Sequence, residues 1–353
     1  MNNYFNIQIL DKKQLSQEAM EFTLEYPKSN DFSYLPGQFI TLVLSIEGQL
    51  YKRCYSLVSS PGIDHELKIA VKKVQGGKVS NYLHQKVQIG DYLNIQKSAG
   101  KFKIATSAIN YNSYYFFAAG SGITPIISMI KTILHTEKKS QIYLMYGNRH
   151  QKSIMYDKEL KKLNEKSPIN IQYYLSQPIV GWSDLWSSKK DNEYITGRID
   201  KSEIESFINN NPPISQDCFY FICGPGDMIQ NTKISLRSLG VPADRILSEN
   251  FKFTKQQSRI EEVSSLLMAN LNGNTYTLKL NKNETILAGL IKHKTNPPYS
   301  CQGGICGTCQ CKLKVGKVRM KTNAYLTDEE IDNGYILACQ AISTTDEIEI
   351  SFD

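Results

Sequence analysis

The sequence predicts three units of different class in one chain. These are an all-β sandwich or barrel, a parallel-sheet α/β domain, and a small mixed unit built around a cysteine loop. Three observations carry this. Roughly the first hundred residues alternate short β-prone runs with turn signals. From Tyr114 to near Phe253, strand-like runs alternate with helix-like ones. Cys301, Cys306, Cys309 and Cys311 then crowd together, and Cys339 follows.

Bulk properties agree with this division. The chain has 353 residues, 41% hydrophobic and 21% charged, enough for two or three globular domains and incompatible with wholesale disorder. No apolar run approaches the roughly 18 residues of a membrane helix. The nearest candidate, Tyr114 to Ile130, is interrupted by Gly120, Ser121, Gly122, Thr124 and Pro125. The start, MNNYFNIQIL, lacks the basic flank and long apolar core of a signal peptide. The expectation is a cytoplasmic protein with no membrane insertion. Net charge is +7, yet from Leu266 onward nine basic residues balance nine acidic ones, so the earlier part carries the whole excess. The basic residues are scattered and form no Lys/Arg-rich run, which argues against nucleic acid and for anionic cofactors or a solvated surface.

In the first unit, QFITLVLS, ELKIAVKKV and DYLNIQ end at Ser45, Val74 and Gln96, punctuated by Pro36-Gly37, Pro61-Gly62 and Gly76-Gly77. Arg53-Cys54-Tyr55-Ser56 places an arginine and a tyrosine on one face of a strand. Arginine suits a bidentate grip on phosphate, and the tyrosine can lie along a flat ring. The serine adds a hydrogen bond to such a ring. Alone the motif is weak. It gains weight from Gly76-Gly77-Lys78-Val79-Ser80-Asn81, a glycine-rich helix start fit for a pyrophosphate.

In the second unit, YYFFAAG is a strand that runs into Gly120-Ser-Gly122-Ile-Thr124-Pro125 and a helix. The glycines admit a diphosphate, Thr124 reads as the N-cap and Pro125 as the first helical residue. Cys223-Gly224-Pro225-Gly226 ends a later strand, CFYFICG. Glycine turns at strand C-terminal ends are where open α/β sheets bind ligands. Arg149 and Arg198 are candidates for the adenosine end, as partners of a 2′-phosphate or as plain surface arginines.

In the third unit, strand NTYTLKL and helix TILAGLIKH precede the loop. Cys301-x4-Cys306-x2-Cys309 with distant Cys339 is the plant-type [2Fe–2S] spacing. A zinc site would more commonly show two C-x2-C pairs. Cys311 falls on the following strand and reads as a packed thiol. Thr327-Asp-Glu-Glu330 reads as a capping box, with Asp328, Glu329 and Asp332 as an alternative acidic docking patch. Polar Lys255 to Ser264 reads as a linker.

Together these motifs resemble the ferredoxin–NADP reductase superfamily. More narrowly they resemble reductase components with a C-terminal plant-type ferredoxin domain, such as the phenylacetyl-CoA epoxidase reductase component and steroid-hydroxylase reductases. The resemblance implies an N-terminal antiparallel β-barrel binding FAD (1–104), a central α/β nucleotide-binding domain (105–253), a linker (254–265) and a β-grasp 2Fe-2S ferredoxin domain (266–353). It implies that Arg53, Tyr55 and Ser56 hold the flavin, with Gly77, Val79 and Ser80 at its phosphates. It implies Gly122 and Thr124 at the nicotinamide nucleotide, Cys223 and Gly224 flanking hydride transfer, and Glu249 and Phe251 beside the flavin. Tyr55, Ser56, Cys223 and Glu249 are thereby the catalytic candidates, and Cys301, Cys306, Cys309 and Cys339 the metal ligands. The implied activity passes electrons from NAD(P)H, with NADPH favoured, through FAD and the cluster to an oxygenase of diiron or Rieske type. Alternatives are a membrane diiron desaturase or hydroxylase as acceptor, a stand-alone oxidase, and a redox-sensing binding protein.

Overall fold

Apolar side chains at every second position build the core of the first sheet. Its strands are β1 (Tyr4–Ser16), β2 (Ala19–Leu24), β3 (Phe39–Ile46), β4 (Gln49–Ser56) and β5 (Leu67–Lys72), with helix α1 (Lys78–Gln85) before β6 (Tyr92–Gln96). All neighbours are antiparallel, in the order β4-β3-β6-β1-β2-β5. Every second residue points inward, as in Ile7 and Ile9, Phe22 and Leu24, Ile40 and Leu42, and Ile69 and Val71. The two outer strands meet just past β4. Leu57 bridges to Ile69, and the Val58 N–H donates to the Lys68 carbonyl at 2.8 Å. That seam closes the sheet into a barrel, so the R-x-Y-S strand and the strand leading to Gly76-Gly77 lie side by side.

The computed structural model describes residues 4–29, 31–167, 169–179, 194–215, 217–251 and 263–352. The second sheet holds β7 (Ser113–Ala119), β8 (Gln141–Asn148), β9 (Ile169–Leu175), β10 (Tyr194–Thr196), β11 (Cys218–Gly224) and β12 (Ile246–Asn250). Between them run α2 (Ile123–Thr136), α3 (Asp157–Lys166), α4 (Lys201–Asn210) and α5 (Gly226–Ser238). All strands are parallel, in the order β10-β9-β8-β7-β11-β12. Central β7 is buried on both faces, which explains its unbroken apolar run. On one face Tyr115 stacks between Tyr143 and Tyr220, at 4.7 and 4.9 Å, against α4 and α5. On the other, Phe116 stacks on Phe221 beneath α2.

Barrel and parallel sheet belong to one unit, Met1–Phe251, and Lys252–Asp353 form another. Within the first unit, α2 clamps the chain just after the R-x-Y-S strand. Ser128 Oγ donates to the Ser59 carbonyl at 2.6 Å, Ser60 Oγ donates back to the Ser128 carbonyl at 3.2 Å, and Lys131 pairs with Asp64 at 2.8 Å. The Tyr156 hydroxyl donates to buried Glu21 at 2.7 Å, a second tie between barrel and sheet.

The other unit contains β13 (Ser265–Leu271), β14 (Asn274–Leu280), α6 (Ile286–Lys292), β15 (Gln310–Val315), β16 (Val318–Met320), α7 (Asp328–Asp332), β17 (Tyr335–Leu337), β18 (Ala341–Ser343) and β19 (Glu347–Ser351). Its main sheet runs β14-β13-β19-β15-β17, with β13 and β19 parallel and the other neighbours antiparallel. Helix α6 packs Leu287 and Leu290 onto its core, the arrangement of a β-grasp. The expected linker lies largely outside the described residues, and its last residue, Ser265, already opens β13. The capping box at Thr327 and Glu330 forms as expected. Among the described residues no helix is long and apolar enough to cross a membrane.

Candidate functional site

Strand order reverses between β7 and β11, because the chain leaves them toward opposite edges of the sheet. This is the topological switch point at which open α/β sheets bind ligands. Both glycine turns sit there. Gly120–Gly122 forms a 3-10 turn directly after β7, and Pro225 leads from β11 into α5. They are pressed together: a Cβ on Gly122 would lie 2.0 Å from the Cys223 carbonyl oxygen. The 3-10 turn runs straight into α2, so Gly122, not Thr124, occupies the N-cap. Thr124 is the second helical residue, and its hydroxyl donates to the Ser121 carbonyl at 2.9 Å. The expected cap fails because the chain begins to coil at Gly120. Exposed Arg149 and Arg198 follow β8 and β10, at the C-terminal end of the parallel strands.

Glu249 on β12 stands opposite Cys223 in the ladder. Its Oε2 is buried with no hydrogen-bond partner among the described residues. Burial raises its carboxyl from 4.5 to about 8. Burial, and then the Glu249 charge, push the Cys223 thiol well above its ordinary value. The pair therefore places a thiol whose ionisation burial disfavours beside a carboxyl that keeps its proton near neutrality. Phe251, just past β12, packs against the core beneath α2.

The barrel's candidates gather at its seam. Ser56 is buried at the end of β4 and Tyr55 packs against the barrel core. Burial keeps the Tyr55 phenol un-ionised far above its usual range. Exposed Arg53 rests over the Tyr51 ring, with Nη1 donating to the Lys52 carbonyl at 2.7 Å. Gly77 caps α1 without a side-chain hydrogen bond, leaving the helix start accessible to an anion. Buried Val79 anchors this turn in the core. The Ser80 hydroxyl turns inward, accepting from the Val74 N–H at 3.1 Å. That bond braces the turn whose backbone amides face the helix start.

Cys301, Cys306, Cys309 and Cys339 are all buried. They associate in pairs, Cys301 with Cys306 and Cys309 with Cys339. The shared hydrogen bonds, reinforced by burial, push the Cys301 and Cys309 thiols far above the usual range, while the bond from Cys309 lowers Cys339. Among the described residues no three His, Cys, Asp or Glu side chains group as if around one ion. Two thiol pairs suit two irons with two thiolates apiece. The loop's tightness is visible at Gly307, φ +72, where a Cβ would lie 2.1 Å from the Tyr325 ring. The Gly303 N–H donates to Cys301 Sγ at 3.3 Å. Cys311 is buried on β15 in the core, as a packed thiol should be.

The chain is 31% identical to a component of the 1,2-phenylacetyl-CoA epoxidase of Escherichia coli (strain K12), over 100% of its own length and 99% of the relative's. It belongs to the ferredoxin–NADP reductase superfamily. Residues 6–104 of this reductase match the oxidoreductase FAD-binding domain family, 116–233 the oxidoreductase NAD-binding domain family, and 269–344 the 2Fe-2S iron-sulfur cluster binding domain family. It is also 31% identical to the ferredoxin reductase component of 3-ketosteroid-9-alpha-monooxygenase from Mycobacterium tuberculosis (strain CDC 1551 / Oshkosh), over 100% of this chain and 97% of the relative. Its fold resembles the solved phthalate dioxygenase reductase, with a TM-score of 0.64 at 21% identity, covering 99% of this chain and 98% of that one. The reductase is thus an oxidoreductase with FAD, nicotinamide and 2Fe-2S domains.

Glu249 gives this reductase a measurable pH signature. Between about pH 4.5 and 8 the unfolded chain releases the proton that the folded chain keeps. Folding stability therefore falls with rising pH across that window and levels off above it. Glu249→Gln should remove this limb. Thermal melts on either side of the window check it, and equal slopes in the two proteins would refute the assignment.

The sequence reading overlooked Ser59, Ser60 and Ser128, which lock α2 to the chain beyond Ser56. No local pattern marks them, because the bonds join residues distant in sequence. It also overlooked Gln340, beside Cys339.

Proposed function

We propose that this chain passes electrons from NAD(P)H to an oxygenase of diiron or Rieske type. The observation that carries the proposal is the paired burial of Cys301, Cys306, Cys309 and Cys339 in the same chain as a flavin barrel and a nucleotide-binding switch point. Relatives named as a component of an epoxidase and a reductase component of a monooxygenase support an oxygenase as acceptor. When bound, the flavin and the cluster convert a two-electron donor into single electrons. The protein's own groups position and insulate.

Arg53 grips a flavin phosphate, Tyr55 flanks the ring with a protonated phenol, and Ser56 hydrogen-bonds to the ring. Gly77, Val79 and Ser80 shape the pyrophosphate turn. Gly122, Thr124 and Gly224 form the nucleotide cleft. Cys223 walls the cleft as a neutral thiol, and Glu249 and Phe251 close its flavin side. Arg149 and Arg198, after the C-terminal ends of two strands of the sheet, suit a 2′-phosphate and favour NADPH. The domain limits proposed are 1–104, 105–253 and 266–353 with a linker at 254–265. The eight cysteines form no disulfide among the described residues, which suits a cytoplasmic home where thiols stay reduced.

Anaerobic titration with NADPH or NADH should bleach first the flavin absorbance and then the cluster bands. If neither nucleotide reduces either centre, the proposal fails.

A further inference from the structure

We infer that Gln340 tunes the cluster: its side-chain amide donates one hydrogen to the Cys339 sulfur and ties down the ligand loop with the other. Gln340 Nε2 lies 2.9 Å from the Gln302 carbonyl oxygen and 3.6 Å from Cys339 Sγ. Both of these are acceptors. Only the NH2 end of the amide satisfies them together, since a flipped amide would set oxygen against two acceptors. Gln340 is only 8% exposed, so little water reaches these bonds.

The surroundings hold this arrangement in place. The Gln340 N–H donates to the Leu337 carbonyl at 2.8 Å, and its carbonyl accepts from Lys321 at 2.9 Å. Gln302 has φ +55, a left-handed conformation uncommon for a non-glycine residue, and its carbonyl is the one Gln340 secures. At Gly304 a Cβ would approach Gln340 Cγ to 3.0 Å, so the missing side chain leaves room for the glutamine stem. One residue thus links the fourth cysteine to the loop that carries the other three.

A donor aimed at a ligand sulfur stabilises the more negative, reduced state and raises the reduction potential. The inference rests on the reading of the four cysteines as cluster ligands. Iron and sulfide content of the unmutated protein tests that reading separately. Anaerobic potentiometry of the full-length protein, followed by electron paramagnetic resonance, tests the inference. Gln340→Leu should disfavour cluster reduction at least about threefold, a shift of about 28 mV to more negative potential at 59 mV per tenfold. Gln340→Glu, of the same shape but with acceptors facing the sulfur, should move it further in that direction. A midpoint that stays put or rises in a variant of unmutated iron content overturns the inference. So does loss of the cluster from both variants, which would assign Gln340 to assembly instead.

Discussion

Cys306→Ser should cut electron delivery to cytochrome c, a one-electron protein acceptor, by about 100-fold or more, while reduction of ferricyanide by NAD(P)H persists. Changes in groups that merely support a metal ligand already cost about 10–100-fold, so removal of a ligand should reach the top of that range or pass it. Cys306 is the partner of Cys301, and both are buried, so serine leaves half of a thiol pair and a poor ligand in its place. The flavin barrel and nucleotide sheet have cores of their own in the other unit and contain none of the four cysteines. Iron analysis, flavin content and the two acceptor assays on one preparation give the answer. Equal loss of both activities would show that the cysteine unit is not a separable terminal carrier.

Gly122→Ala should lower kcat/KM for the nicotinamide nucleotide by about 100-fold, because a misplacement near 1 Å suffices for such a loss. Gly122 has φ −61, which alanine adopts freely, so backbone strain plays no part. The added carbon would instead meet the Cys223 carbonyl oxygen at 2.0 Å and force the two turns apart. Gly120→Ala is the informative control. It has φ +54 but meets nothing within 4 Å, so it strains the backbone without separating β7 from β11. A stopped-flow measurement of flavin reduction on both variants, with melting temperatures alongside, separates the effects. If Gly120→Ala slows reduction as much as Gly122→Ala, close approach is not the reason for the glycine.

What the sequence made legible follows from the range of the interactions. The C-x4-C-x2-C spacing is local, and the loop it describes closes on itself. Cys339 came into view because few other cysteines lie nearby. The parallel sheet was legible because β7 and β8 are buried on both faces and read as continuous apolar runs. β13 went unassigned as a strand, although the domain limit at 266 falls within it, because its parallel partner β19 lies at the far end of the domain. Long β1 likewise went unassigned: its second half reads LDKKQLS, and only pairing with β2 and β6 makes it a strand. Thr124 looked like a cap because capping rules assume an extended residue before the helix, and Gly120–Gly122 is already coiled. Ser80 reads as a phosphate ligand from its place in the turn, and the sequence did not show that its hydroxyl also accepts from the Val74 N–H.

The central position of β7 also orders the birth of the molecule. Its best neighbours lie on both sides of it, and Ser113 finds Cys218 only after a long intervening stretch has been synthesised. On the ribosome, the flavin barrel emerges whole and can close early. The apolar strand that follows must wait without its second partner, greasy on both sides. A nascent chain stalled in that interval exposes the surface that chaperones grasp, and the cysteine unit arrives only after the danger has passed.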